Sequence, residues 1–248
     1  MINSMHYILN KIKSSPCIEN DLFSITRERK KGQPRVVSFV NPYSYMLLRN
    51  REEGYLVDHF YSDAITSSFF FSMLLSIKVP RISFDYGSFA KTFFGELSHS
   101  EDTVYFVGAK QNEIEKAVLN FKENYPKLKI CGFSSGYFDH VNSKQSVIDN
   151  IKKSNAKFVV CGLGTPLQES FSREVIDNCE SVSRIYTCGG FLYQSTDSIN
   201  YYPHWVNKYN LRWAYRITVE NYVLKRLLNQ YPKFLFYVVK DRFANGRN

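Results

Sequence analysis

From Thr103 to Cys188 the chain alternates short β-rich runs with helical patterns, and this alternation narrows the fold more than any other feature of the sequence. Runs rich in β-branched and aromatic residues fall at Thr103–Val107, Leu128–Cys131, Lys157–Cys161 and Arg184–Cys188. Helical patterns at Asn112–Glu123, Gln145–Lys153 and Pro166–Cys179 separate them. Strands joined through helices lie parallel, with the helices covering both faces of the sheet. The expected fold is therefore α/β, a Rossmann-like, mostly parallel sheet. Upstream, Arg35–Val40 and Arg81–Asp85 read as further strands, and Ala64–Lys78 and Ser88–Leu97 as helices. The first 30 residues are polar and weakly patterned and read as a helix and a lead-in. A boundary near Tyr202-Pro203 divides an α/β domain (1–203) from a helical appendage (204–248). In the appendage Trp205–Gln230 reads as helix, Tyr231-Pro232 as its interruption, and Phe234–Val239 as a short apolar run.

Charge is unevenly placed. Residues 204–248 carry nine Lys or Arg against two acids, a net +7, whereas residues 1–203 carry +2. Such a tail suits an anionic membrane, a phosphorylated substrate or nucleic acid. Its aromatic residues Trp205, Tyr209, Trp213, Tyr215 and Tyr222, interleaved with basic ones, suit a lipid headgroup region, although a helix packed on the core with a solvated charged face gives the same pattern. The longest apolar stretch, Ala64–Ile77, is broken by hydroxyl residues and is too short to span a bilayer. The N-terminus has no continuous apolar run of the secretory kind. The five cysteines form no C-x-x-C pair and read as reduced core residues of a cytosolic protein.

Several strand ends carry glycine. Gly162-Leu-Gly164 follows a buried run, and Thr165 can cap the next helix with Pro166 at its first position. Such a turn lets a phosphate reach backbone N–H groups, with Gln168 and Glu169 available to sugar or base; it is equally an ordinary tight turn. Gly108 and Lys110, Gly136 and Tyr137, and the pair Gly189-Gly190 stand at three other strand ends. Paired glycines there admit either a ligand or another backbone. No D-x-D and no His/Cys cluster with metal-ligand spacing occurs, so no metal and no other cofactor is expected.

Together these segments resemble the WecG/TagA/CpsF glycosyltransferases (glycosyltransferase family 26). Gly162-Leu-Gly-Thr-Pro-Leu-Gln-Glu169 resembles that family's G-x-G-x-P-K-Q-E, Phe106-Val-Gly-Ala-Lys110 its F-x-G-G-K, and Gly132–Phe138 its G-x-x-x-G-Y-F. Cys188-Gly-Gly-Phe191 and Leu211-Arg-Trp-Ala-Tyr-Arg216 match later motifs in the same order, and the resemblance runs from about Val36 to about Phe234. Departures are Leu167 for the usual Lys, Tyr193 for an acid after the paired glycines, and Arg212 for the Glu of L-E-W. The resemblance implies that Asn41, in Val40-Asn41-Pro42, and Asp63, in Tyr61-Ser-Asp63-Ala-Ile65, line the acceptor side, with Asp63 as base. From position alone Asp63 is also a natural cap for the following helix, and Asp85, at another strand end, is a rival base. Arg216 is implied to meet the charge of the leaving nucleotide; by spacing it also pairs with Glu220.

The expected activity is inverting, metal-independent transfer of a hexose or N-acetylhexosamine from a UDP-sugar to a polyprenyl-diphosphate-linked glycan, in bacterial surface polysaccharide assembly. The expected location is cytoplasmic, peripheral at an anionic membrane surface, with homo-oligomers allowed and no nucleic acid bound. Two rivals stand. An NAD-dependent oxidoreductase would need G-x-G-x-x-G, but Leu167 occupies the third glycine position. A nucleic-acid binder would use the basic tail alone.

Overall fold

A computed structural model describes residues 5–28, 35–138, 143–197, 203, 206, 212–219 and 221–243. Six strands form one sheet: β1 (Arg35–Val40), β2 (His59–Ser62), β3 (Thr103–Gly108), β4 (Lys129–Ser134), β5 (Phe158–Gly162) and β6 (Arg184–Thr187). Their order is β2-β1-β6-β5-β3-β4 and every pairing is parallel. The pairs β1–β2 and β3–β4 grow outward, and β5 and β6 fill the space between them. All six carboxyl ends therefore open on one edge.

Side chains alternate across the sheet with the strand period of two. Val37, Phe39, Val104, Phe106, Phe158, Val160 and Tyr186 face one layer, made by α2 (Ile18–Thr26), α5 (Phe89–Ser98), α6 (Gln111–Asn124) and the short α9 (Phe191–Gln194). Val36, Val40 and Phe60 face the other, against α1 (Tyr7–Ser14), α3 (Pro42–Leu48) and α4 (Ile65–Leu75). Tyr105, Val107, Val159, Cys161 and Ile185 continue that face under α7 (Lys144–Ser154) and α8 (Leu167–Asn178). Strands buried on both faces read as near-continuous apolar runs, as β3 and β5 do.

Three expectations need correction. Arg81–Asp85 is no strand: Arg81 makes one bridge to Ser62, and the chain then turns as Ser83 Oγ and Gly87 N donate to the Asp85 carboxylate, at 2.5 and 2.8 Å. The short edge strand β2 takes its place beside β1. The first 30 residues build two packed helices, burying Ile8, Leu9 and Ile12 from one and Ile18, Leu22 and Ile25 from the other. Pro232 does not interrupt the C-terminal helix, which runs Asn221–Phe243. Pro232 and Leu228, whose carbonyl it leaves unpaired, are both exposed, so water can satisfy that carbonyl.

The C-terminal helix is built into the core. Phe234 and Val238 are fully buried with α1, α3 and α4. Asp241 is buried too: its carboxylate accepts Tyr45 Oη at 2.8 Å and Arg49 Nε and Nη2 at 2.9 and 2.5 Å. Among the described residues no helix is long and apolar enough to cross a membrane.

Candidate active site

The carboxyl edge of the sheet holds an open cleft of about 1210 Å³. Ligands of α/β sheets sit at this edge. The volume is at the upper end of the roughly 300–1,000 Å³ usual for a small-molecule site or above it.

One wall is polar. After β1 the chain turns into α3 at Asn41, whose Oδ1 accepts Tyr43 N and Ser44 N, both at 3.0 Å, while Ser44 Oγ accepts Asn41 N at 2.9 Å. This capping box fixes the Asn41 side chain. Its remaining donor, Nδ2, lies 3.4 Å from Asp63 Oδ2. Asp63 follows β2, held by its N–H on Val40 O at 2.8 Å. It is not the N-cap residue of the next helix, which is Ala64.

Arg81 completes the wall. Its Nε donates to Asp63 O at 2.9 Å; its Nη2 donates to Ser83 Oγ at 2.8 Å and Asp85 Oδ2 at 3.3 Å and lies 3.9 Å from Asp63 Oδ1. A guanidinium thus stands between the two carboxylates. Asp85 is already engaged by Ser83 Oγ, Gly87 N and Arg81, and its side chain is 16% exposed against 32% for Asp63. Asp63 is thus the more exposed of the two acids. Arg81 went unnoticed in the sequence, where its only signal is an acid four residues on.

The opposite wall is glycine-bearing backbone. Gly164 and Gly189 hold φ of +78° and +53°, and the space a Cβ would occupy at each is open. Their backbones are reachable from the cleft, which they line with Gly162, Thr165 and Gly190. Gly162 and Gly108 have a second reason to be glycine. A Cβ on Gly162 would lie 2.8 Å from Gly189 O, and one on Gly108 would lie 2.7 Å from Gly162 O. Gly108 packs behind the wall; Gly136, against Gly108, still reaches the cleft. Lys110 and the exposed Tyr137 stand on the rim, as do Leu167 and Tyr193.

Beneath the glycine wall the placement differs from expectation. Pro166 is the N-cap residue, with a cis bond from Thr165, and α8 begins at Leu167. Thr165 Oγ1 donates to Glu169 Oε1 at 3.2 Å instead of capping the helix. Glu169 does not face the cleft. It is fully buried, and its Oε1 also accepts Ser38 Oγ at 2.8 Å and Gln168 Nε2 at 3.1 Å. Burial pushes its pKa above the usual range, against the pull of those hydrogen bonds. Gln168 does reach the cleft, and its Oε1 accepts Gly189 N at 3.3 Å, tying one glycine loop to the other.

The thiols nearby are poor nucleophiles: burial pushes Cys161 up to about 12 and Cys188 up as well. Among the described residues no three His, Cys, Asp or Glu side chains gather as a metal site. Leu227 and Tyr231 of the C-terminal helix close one side of the cleft, a contribution no sequence pattern announced. Arg216 lies in the helix Arg212–Val219, but its side chain is outside the described residues, as are Trp205 and Tyr209.

The profile of the Glycosyl transferase WecG/TagA/CpsF family matches residues 17–248. A UDP-Gal:alpha-D-GlcNAc-diphosphoundecaprenol beta-1,4-galactosyltransferase of Shigella boydii is 38% identical over 234 residues, 94% of each chain. An N-acetylglucosaminyldiphosphoundecaprenol N-acetyl-beta-D-mannosaminyltransferase of Bacillus subtilis (strain 168) is 27% identical over 220 residues, 83% of this chain and 79% of its own. A protein of the same description from Bacillus spizizenii is 27% identical over 147 residues, 58% of this chain and 54% of its own. With a parallel sheet, a carboxylate on one wall of its carboxyl-edge cleft and glycine backbone on the other, the chain belongs to the WecG/TagA/CpsF family of glycosyltransferases.

Proposed function

We propose that this glycosyltransferase moves a hexosyl group, galactosyl first among candidates, from its UDP-sugar to a hydroxyl of a GlcNAc-diphosphoundecaprenol acceptor, with inversion and without a metal ion. The observation that carries this reading is the meeting, in one cleft, of the Asn41–Asp63 pair with the open glycine backbones at Gly164 and Gly189. The Shigella relative's name supports galactose, and the uncharged rim residues Leu167 and Tyr193 fit a neutral sugar.

The acceptor hydroxyl lies against Asp63. As its oxygen bonds to the anomeric carbon, its proton passes to the Asp63 carboxylate and the bond from that carbon to UDP breaks. A single displacement inverts the anomeric centre. Asn41 Nδ2 orients the carboxylate, and Arg81 fixes the loop that carries it. UDP leaves with its charge met by backbone N–H groups at the glycine wall, by Lys110 on the rim and by Arg216. The Arg81 guanidinium stands between Asp63 and Asp85 and supplies positive charge to both carboxylates, which supports the metal-free reading. The setting is the inner face of a bacterial plasma membrane, with the basic C-terminal region drawn to anionic lipid and the product destined for surface polysaccharide.

A thermal-shift panel of nucleotide sugars tests the donor. UDP and UDP-galactose are expected to raise the melting temperature, and NAD is not. Transfer to a short-chain GlcNAc-diphosphate lipid is expected to survive excess EDTA. Failure of every UDP-sugar to stabilise the protein contradicts the proposal, and loss of transfer in EDTA contradicts its metal-free step.

A further inference from the structure

The cleft opens beside an exposed apolar face on α4. On α4, Ile65, Phe69 and Met73 recur every four residues, and all are about half exposed or more. Four-residue spacing puts them in one row along the helix. Phe71 and Leu75 fill the core from the other side. The row starts at the active site, since Ile65 lines the cleft two residues after Asp63.

The C-terminal helix extends this face. Leu228, Leu235 and Val239 are exposed at spacings of seven and four, while Phe234, Val238 and Asp241 point into the core. Position 242 falls on the Leu235 side of the helix at about 100° per residue, and Arg242 Nε donates to Leu74 O at 2.7 Å. On the opposite side Arg49, just past α3, stacks over Tyr237 with its guanidinium 4.3 Å from the ring centroid. The row of Leu228, Leu235 and Val239 therefore lies on the side of the C-terminal helix turned toward α4.

Among the described residues of these two helices, the exposed charges are positive. Helix α4 carries no ionisable residue, and Lys225, Lys233 and Lys240 are exposed on the C-terminal helix. The acid within Asn221–Phe243, Asp241, is buried against Arg49. An apolar strip edged by cations fits the interface of an anionic bilayer. It does not fit a polar or basic protein partner. We propose that α4 and the C-terminal helix together dock on the membrane, with Phe69 and Met73 entering the acyl boundary, so that the cleft mouth at Ile65 faces the plane in which a lipid-diphosphate acceptor lies. This inference rests on the lipid-linked acceptor proposed above. It differs from attachment by the basic tail alone in placing a helix of the catalytic core in the lipid.

The test is co-sedimentation of the full-length protein with phosphatidylglycerol-containing vesicles. The wild type is expected to sediment, and a Phe69→Ser/Met73→Ser variant to bind about tenfold more weakly or worse. Neither residue lines the cleft, so the variant is expected to keep wild-type transfer to a short-chain, water-soluble acceptor, which also shows that it folds. A Phe69→Trp variant adds a second readout: brominated lipid is expected to quench it beyond the quenching of the wild-type tryptophans. Unchanged sedimentation of the serine variant, or no added quenching at position 69, overturns the proposal. So does a wild-type dimer that the serine substitutions dissociate, because a second copy would then cover the face. Binding to vesicles needs no sugar transfer, so failure here is distinguishable from failure of the proposed reaction.

Discussion

Asn41 Nδ2 points at Asp63 Oδ2 across 3.4 Å while Asn41 Oδ1 holds the first turn of α3 through Tyr43 N and Ser44 N. One amide therefore does two things with its two ends. The acceptor oxygen starts a helix, and the donor nitrogen aims the carboxylate at the end of the neighbouring strand. Parallel pairing of β1 with β2, Val40 opposite Ser62, makes this possible by bringing the two strand ends level.

Replacing Asn41 by Ala is expected to separate these roles only partly. Loss of the cap costs about 1 kcal/mol of stability. Loss of the aimed donor lowers kcat with little change in KM for the UDP-sugar. Asn41→Asp retains the cap but sets a second carboxylate against Asp63, so it is expected to melt near the wild type and turn over as poorly as Asn41→Ala. Steady-state kinetics beside thermal melts check this.

Asp85→Asn is expected to be mild. The Asp85 carboxylate is engaged by Ser83, Gly87 and Arg81 and is the less exposed of the two acids. Asparagine keeps an oxygen for Gly87 N, so a loss within about tenfold in kcat is expected, smaller than the roughly 10²–10⁴ that a general base supplies. Parallel assays of the variants at positions 63 and 85 check the order.

Glu169→Gln is expected to change how stability depends on pH. Burial raises the carboxyl pKa in the folded chain above its unfolded value. Between the two values the folded state keeps a proton that the unfolded state has lost, so this group's contribution to stability falls as pH rises. The variant lacks that loss. Its melting temperature is expected to gain on the wild type as pH rises above the ordinary carboxylate range. Scanning calorimetry at increasing pH checks it. Because Glu169 reaches Ser38, Thr165 and Gln168, Glu169→Ala is expected also to raise KM for the donor.

Much of this was legible in the sequence. The alternation in the second half announced the parallel sheet, and five of the six expected strand runs fall on strands. The glycine segments are legible from their place at strand ends and Asn41 and Asp63 from a resemblance, and all but Gly108, Pro166 and Glu169 of the described candidates line the cleft. The misses have physical causes. β2 is four residues long with polar His59 and Ser62 at its ends, so it shows no β-rich run. Arg81–Asp85 has strand composition, but the Asp85 side chain closes a turn through contacts that no local pattern encodes. Glu169 matched a motif, and a motif does not say whether a side chain faces the ligand or the floor beneath it. Arg81, Leu227 and Tyr231 enter the cleft only through tertiary packing.

The C-terminal helix depends on Asp241. Its carboxylate takes three hydrogen bonds from Tyr45 and Arg49, and the Arg49 and Asp241 side chains are 10% and 3% exposed. Asp241→Ala leaves a buried guanidinium unpaired and is expected to cost about 3–5 kcal/mol. Proteolysis is expected to cut the helix first in that variant, because Leu227 and Tyr231 then lose their anchor over the cleft.

Asp63→Asn, assayed for UDP-galactose binding by calorimetry and for galactosyl transfer to a short-chain GlcNAc-diphosphate lipid, tests the central claim most directly. The account predicts donor affinity within about twofold of the wild type and transfer slower by about 10²-fold or more, with no other carboxylate rescuing it. Transfer near the wild-type rate would contradict it.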